Sequence, residues 1–493
     1  MYSNDTIEPG VGADAGRSGG VWRLITVLVA RASARTVTWA CVVLGLLLLC
    51  PSLKAGLVAD DYVHALMLRD DPGLRGLQRS PFDLFRFADG LPASAQALIE
   101  EGVFPWWADP EARLAFFRPL SSITHFLDHR LWPSQPLLMH LHSLAWYGAL
   151  IAVVAVTYRR LGLSRRSAGL ALLLFAIDDA HAPLVGWVAN RNAIIALCLA
   201  LPALVVHHRQ RRAGFEHGVW LGPLLLAAGL CAGEGALCVL AYLVAYAACL
   251  DGGPWHARWG SLVPYALVVV GWKLCCISWG YGASGSGLYV DPLADPIGFA
   301  RAACERFPVL GLGLFFGPFA DFWELYPLLA PWLRVSVLAL ALVALGLLAL
   351  LLRPLLRRDA RLAFWATGSV ACLLLMCATF PHDRLLLAPG VGGMVVVAAL
   401  LQAGWARRAR FGAQLAALAL AAVHVVAAPL LAPWRAANVG RFSQLLRHAD
   451  ASVPADETVR DKTLVLLNPP LDPFAAYLPI YREARRTPRP RQS

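Results

Sequence analysis

Charge is scarce in this chain. Only 15% of its 493 residues are charged and 58% are hydrophobic, whereas soluble domains carry roughly a quarter charged residues. That balance excludes an ordinary soluble enzyme. Metal-type cysteine spacing is missing too. None of the eleven cysteines forms a CxxC pair. All but Cys304, expected in a loop, lie in or beside apolar runs. They read as small core hydrophobes, which excludes a disulfide framework and a zinc site of that type. A glycine-rich phosphate loop and internal repeats are also absent. The net charge of +11 does not form a nucleic-acid patch, because the arginines sit in short segments between hydrophobic runs.

What the sequence does have is apolar runs of the length that crosses a bilayer as a helix, about 20 residues. They predict an all-α polytopic membrane protein with about eleven transmembrane helices, near 37–55, 137–157, 167–182, 192–207, 218–233, 236–250, 261–279, 333–352, 362–379, 385–404 and 411–431. Residues 1–35 are polar and arginine-bearing. That is too long for the n-region of a cleaved signal peptide, so the first helix reads as uncleaved.

The arginines orient the helices. Arg17, Arg23, Arg31 and Arg35 precede the first, and Arg159, Arg160, Arg165 and Arg166 follow the second. Arg209, Arg211 and Arg212 follow the fourth, Arg353, Arg357, Arg358 and Arg361 the eighth, and Arg407, Arg408 and Arg410 the tenth. With eleven spans every cluster falls on one side, the cytoplasm of a multi-pass inner (plasma) membrane protein. A twelfth span in 301–331 would break this pattern, so that segment is expected to be re-entrant or surface-lying on the outer side.

The resulting organisation has a cytoplasmic tail (1–36), a transmembrane domain (37–432) and a small extracytoplasmic C-terminal region (433–493) with one strand-like run, "TLVLLNPP". Two outer loops stand out within the membrane domain, a long first one (56–135) and a second at 280–332.

The uncommon polar residues gather at outer turns. Asp60 and Asp61 follow the first helix, and Arg118 precedes the second, which opens with His140 and His142. Asp178, Asp179, His181, Asn190 and Arg191 lie between the third and fourth helices. Glu234 lies between the fifth and sixth, and His382, Asp383 and Arg384 between the ninth and tenth. Ionisable groups at membrane depth are costly and usually line a cavity or pathway. Plainer roles compete with that reading. The two first-loop aspartates suit a helix N-terminus. Arg191 and Arg384 can snorkel. His140 and His142 can bond between helices, Glu234 can pair an arginine, and Asp178 and Asp179 can be solvated helix ends.

Carboxylates among cations at an outer lipid boundary suit one reaction. Asp60 or Asp61 would take the proton of an acceptor hydroxyl. Arginines would hold the phosphate of a lipid-linked sugar and stabilise the charge of the departing group. The outcome is inversion without a covalent intermediate. A divalent cation, if one takes part, would bind the carboxylates.

These segments resemble GT-C membrane glycosyltransferases, which use polyprenyl- or dolichyl-phosphate sugars, and are most similar to the TMTC-like and protein-mannosyltransferase-like branch. The stretches that carry the resemblance are "FRPLSSITHFLDHRLWPSQPLLMHLHSLAWYGAL", "LLLFAIDDAHAPLVGWVANRNAIIALCLAL", "CAGEGALCVLAYLVAY", "FPHDRLLLAPGVG" and "ADDYVHAL", in family order over 56–400. It implies Asp60 or Asp61 as the catalytic carboxylate, and Arg118, His140, Arg191, Glu234 and Arg384 around the donor phosphate and sugar; His382, in the same turn as Arg384, is a further donor-site candidate. Gly233 stands where the family has lysine, Asp178 and Asp179 where it has histidine-proline, and Ser143 and Tyr147 where it has asparagine and histidine. The short tail replaces the tandem repeats of TMTC-like proteins. The implied partners are a polyprenyl-phosphate-linked sugar, a protein, lipid or polysaccharide acceptor and membrane lipids, with no nucleic acid. The acceptor surface is expected in 62–117 and 280–332. An O-antigen ligase or polymerase is the rival enzyme. A transporter or flippase of lipid-linked sugars is the rival non-enzyme, but it predicts deep ionisable residues and matching halves.

Overall fold

The computed structural model describes residues 32–69, 77–104, 107–317, 319–406, 409–462, 464–465 and 472–488. Nearly all of the N-terminal tail, Arg407 and Arg408, and most of the strand-like run lie outside the described residues. The fold is mainly helical. Among the described residues, seven helices are long and apolar enough to cross a membrane: Ala34–Lys54, Pro136–Arg160, Val188–Ala213, Trp255–Ser278, Pro331–Leu356, Asp383–Gly404 and Phe411–Ala451. The bent pair Arg165–Ala176 and Asp179–Gly186, angled at 48°, makes an eighth if it is one span. Three shorter apolar helices, Gly218–Leu230, Glu234–Cys249 and Ala360–Met376, complete the set. Each segment expected to be helical is thus helical.

The environment of these helices is uneven, as a membrane requires. Leu340, Leu347 and Leu350 of the Pro331–Leu356 helix are all more than half exposed. A soluble protein would not leave such a stripe bare. In contrast, Leu197, Tyr242, Tyr246, Val391 and Leu401 are wholly buried in one large apolar core. Small residues permit the closest approaches. A Cβ on Gly368 would stand 2.1 Å from the ring of Tyr242, and one on Gly392 would stand 2.3 Å from the Trp365 carbonyl oxygen. Small residues of this kind are how membrane helices pack closely.

Three features differ from the expectations. The segments 56–135 and 280–332 carry a small antiparallel sheet of β1 (Arg86–Asp89), β2 (Arg113–Ala115) and β3 (Gly282–Ser284) in that order. Strands of three or four residues leave no readable period of two. Residues 301–331 fall in a helix, Pro296–Phe316, and a 3₁₀ segment, Ala320–Leu328. Cys304 is therefore helical, not in a loop, and is exposed. The last apolar helix does not stop near 431. It runs through a π-helical turn, Ala422–Ala427, and continues to Ala451. At 1.5 Å per residue that is about 60 Å, twice a hydrocarbon core. Beyond its far end, the helix Asp472–Ala484 packs against the first-loop helix Asp60–Met67.

Candidate functional site

The stretch "GLVADDY" makes a tight turn at the exit of the first helix. Gly56 has φ +72°, a conformation glycine adopts without strain. Ala59 has φ 44° and ψ −111°, which costs an L-residue free energy and marks local strain. The turn opens the helix Asp60–Met67 with both carboxylates in its first turn.

The two aspartates then part ways. Asp61 is 2% exposed. Its Oδ2 accepts from the Val58 N–H (2.9 Å) and its Oδ1 from the Ala189 N–H (2.7 Å). Burial nevertheless raises its pKa to about 7 against the pull of those amides, with the neighbouring charge of Asp60 adding to the rise. Asp60 is only half-buried. The hydroxyl of Tyr477 donates to its Oδ1, while Oδ2 takes no hydrogen bond among the described residues. Burial raises the Asp60 pKa, and the Tyr477 hydrogen bond and the charges of Arg384 and Arg118 work against that rise.

Both of those arginines came from the sequence. Arg118 precedes Pro119, and proline disfavours helical geometry in the residue before it. The helix Pro119–Leu131 therefore begins one residue later and leaves Arg118 outside helical geometry at its cap, with φ −132° and ψ 52°. Its Nε donates to Glu234 Oε2 at 2.8 Å. Its guanidinium lies 4.8 Å from the Phe85 ring centroid and 4.6 Å from that of Phe116. Arg384 lies in the 3₁₀ turn Asp383–Leu386. It donates to Asn190 Oδ1 at 3.2 Å and stands over Trp187 and Phe380. No carboxylate pairs with it within 4.0 Å among the described residues. Asp60, Arg118, Glu234 and Arg384 thus form one partly open polar group, with both arginines seated on aromatic faces.

The other sequence candidates are placed differently. Arg191 is fully buried and pairs with Asp128. It also reaches His125 Nδ1 (3.2 Å) and the Met139 carbonyl (3.2 Å). His140 is wholly buried, with Nε2 2.8 Å from the Gly56 carbonyl oxygen. It braces the start of the second span against the exit of the first. His382 stands 3.0 Å from Asp321. Asp321 is drawn into a hub with Asp179 and Asp383 around the buried Arg435, at 3.0 Å from Asp179 and 2.7 Å from Asp321. This hub clamps three turns to the last helix.

Sequence reasoning missed Asp128, His125, Arg435, Asp321 and Tyr477. Only the first two left a signal. His125 and Asp128 are three apart in "SITHFLDHR", which places them on one helical face. Asp128 also accepts from His142 at 2.7 Å, and Trp146 donates to the other ring nitrogen at 3.0 Å. The ring proton is therefore on Nδ1, facing the carboxylate.

The aspartate pair does not suit a divalent cation. Backbone amides hold both oxygens of Asp61, and Tyr477 holds one of Asp60. No group of three or more His, Cys, Asp or Glu side chains among the described residues is arranged around a metal site.

No protein-family model matches the sequence, and no curated protein matches it. Among solved structures, the chain is similar to the Archaeoglobus fulgidus oligosaccharyltransferase in its apo form, with a TM-score of 0.43 and 12% identity over 86% of this chain and 59% of that one. It also matches the same enzyme tethered to an acceptor peptide containing the NVT sequon, with a TM-score of 0.39 and 13% identity over 92% of this chain and 64% of that one. The chain spans about three fifths of the length of that enzyme.

Proposed function

We propose that this protein is an inverting membrane glycosyltransferase with about eleven spans and a GT-C-like membrane domain. It moves a sugar from a polyprenyl-phosphate carrier to an acceptor hydroxyl at the outer, periplasmic face. The observation that carries the reading is Asp60, a half-buried carboxylate whose Oδ2 takes no hydrogen bond among the described residues, within the field of Arg384 and Arg118. The exposed apolar flanks of the helices and the ordered stretches that resemble the family support it.

In this reading Asp60 Oδ2 takes the proton of the acceptor hydroxyl. The acceptor oxygen bonds to the anomeric carbon as the bond from that carbon to phosphate breaks. The polyprenyl phosphate leaves with the bonding pair, and Arg384 and Arg118 balance its growing charge. Arg384 has no ion pair among the described residues to give up. Arg118 must exchange Glu234 for the phosphate, so Glu234 holds that guanidinium in place until donor arrives. Asp61, Arg191, His140 and His382 act through position, by fastening the turns that carry the reacting groups. The acceptor surface falls on the two outer loops. β2 pairs with β1 of the first and β3 of the second, so one sheet joins both segments.

The test is transfer of radiolabelled sugar from polyprenyl-phosphate donors in membranes holding equal folded amounts of wild type, Asp60→Asn and Asp61→Asn. Loss of a general base predicts a fall of about 10²–10⁴-fold in Asp60→Asn. Wild-type rates in that variant would remove Asp60 from the chemistry.

A further inference from the structure

The side chain that meets Asp60 most directly comes from the far end of the chain. Tyr477 lies 417 residues away in sequence. Its helix, Asp472–Ala484, is fastened at several points. Tyr477, Ile480, Tyr481 and Ala484 recur at helical spacing and form one stripe. Ile480 shares an apolar cluster with Val63, Leu66 and Met67 of the Asp60–Met67 helix. The Tyr481 ring meets Tyr62 edge-on at 5.2 Å, and the Tyr477 ring meets Phe442 at 5.5 Å.

Polar contacts fix the same register. Arg69 donates to the carbonyls of Glu483 (3.1 Å) and Ala484 (2.6 Å) and so caps the end of the helix. Arg482, 1% exposed, binds Asp450 at 2.6 Å and the Pro454 carbonyl at 2.8 Å. The phenol is therefore held on the carboxylate by a whole docked helix.

We propose that the C-terminal helix is part of the site, and that Tyr477 is a positioning residue which fixes the Asp60 carboxylate so that Oδ2 is the oxygen presented to a substrate hydroxyl. This rests on the reading of Asp60 as the base. The groups facing Asp60 are the Tyr477 phenol, the Arg384 and Arg118 guanidinium groups and the Asp61 carboxylate on its own helix. Of these, only the phenol bonds it directly. A neutral donor stabilises the ionised carboxylate, so its removal must make Asp60 harder to deprotonate.

That consequence can be read without knowing the sugar or the acceptor. Dicyclohexylcarbodiimide modifies protonated carboxyl groups, and peptide mass spectrometry separates a label on Asp60 from one on Asp61. The full-length protein in membranes is labelled across a pH series as wild type, Tyr477→Phe and Tyr481→Phe. In Tyr477→Phe the pH of half-labelling at Asp60 moves up by about one unit, the loss of one hydrogen bond to a charged group. Tyr481→Phe, on the same helix but without that bond, stays with wild type. An unchanged Tyr477→Phe profile overturns the proposal. If that variant does not fold, wild type carrying 3-fluorotyrosine replaces it. Its more acidic phenol is a stronger donor and moves half-labelling down, and no movement overturns the proposal. In transfer assays Tyr477→Phe displaces the acid limb of kcat/KM to higher pH. A labelling shift alongside full transfer by Asp60→Asn would bring down the base assignment and leave the contact standing.

Discussion

Asp61 and Ala189 are 128 residues apart, yet the Ala189 amide donates to the Asp61 carboxylate at 2.7 Å. This bond ties the exit of the first span to the turn before Arg191. Burial raises the Asp61 pKa to about 7, above its ordinary 3.8. The stability linked to its proton is therefore complete below about pH 4 and is lost as pH rises through 7. Thermal midpoints in detergent should fall across that window in wild type. In Asp61→Asn, which has no proton to lose, the fall should be shallower from a lower start. Parallel curves would show that this residue does not set the dependence. Asp61→Ala, which strands both amides, should cost about 2 kcal/mol or more at any pH.

Arg384 separates binding from stability. It forms no ion pair among the described residues, so Arg384→Gln should change the unfolding midpoint by less than about 1 kcal/mol equivalent. Its loss removes a cation that favours ionised Asp60, so the acid limb of the pH–rate profile should move upward. Transfer at neutral pH should fall at least tenfold. A variant as active as wild type would exclude Arg384 from the donor site.

The Arg191–Asp128 pair should behave in the opposite way. Both side chains are at most 1% exposed. Arg191→Met leaves a buried carboxylate without its cation and should cost about 3–5 kcal/mol. Arg191→Met with Asp128→Leu should recover much of that loss. Fluorescence-detected gel filtration after heating would measure both. A double variant no better than the single one would show that the pair is not the unit that matters.

Ala59 offers a gain. Its φ of 44° suits glycine, so Ala59→Gly should raise stability by about 1 kcal/mol, and Ala59→Val should lower it by more. If glycine lowers the midpoint, the turn is not strained there.

The helices and the polar residues at their ends were legible because both follow from the cost of placing charge or bare backbone in lipid. Apolar length alone located every predicted helix, and Asp60, Arg118, Glu234 and Arg384 were found as polar exceptions at their ends. The sequence left open whether Asp60 or Asp61 was the accessible carboxylate. That depends on which oxygens meet Val58 and Ala189, a matter of tertiary geometry. Arg435 and Tyr477 were missed for a different reason. Both lie beyond the expected end of the last span, where arginine and tyrosine look like ordinary surface residues. Only the continuation of that helix past 431 brings one to the aspartate hub and the region beyond it to Asp60. The sequence did not show Asp128 as the buried partner of Arg191, because Asp128 sits in what reads as a surface loop.

The docking of Tyr477 on Asp60 also orders events in time. At ribosomal rates, 417 residues take on the order of a minute to add. Throughout that interval the first-loop carboxylate is already made while its partner does not yet exist. Insertion of the helices and completion of the polar centre are thus separate stages of biogenesis, and a half-synthesised chain can be well embedded before Tyr477 reaches Asp60.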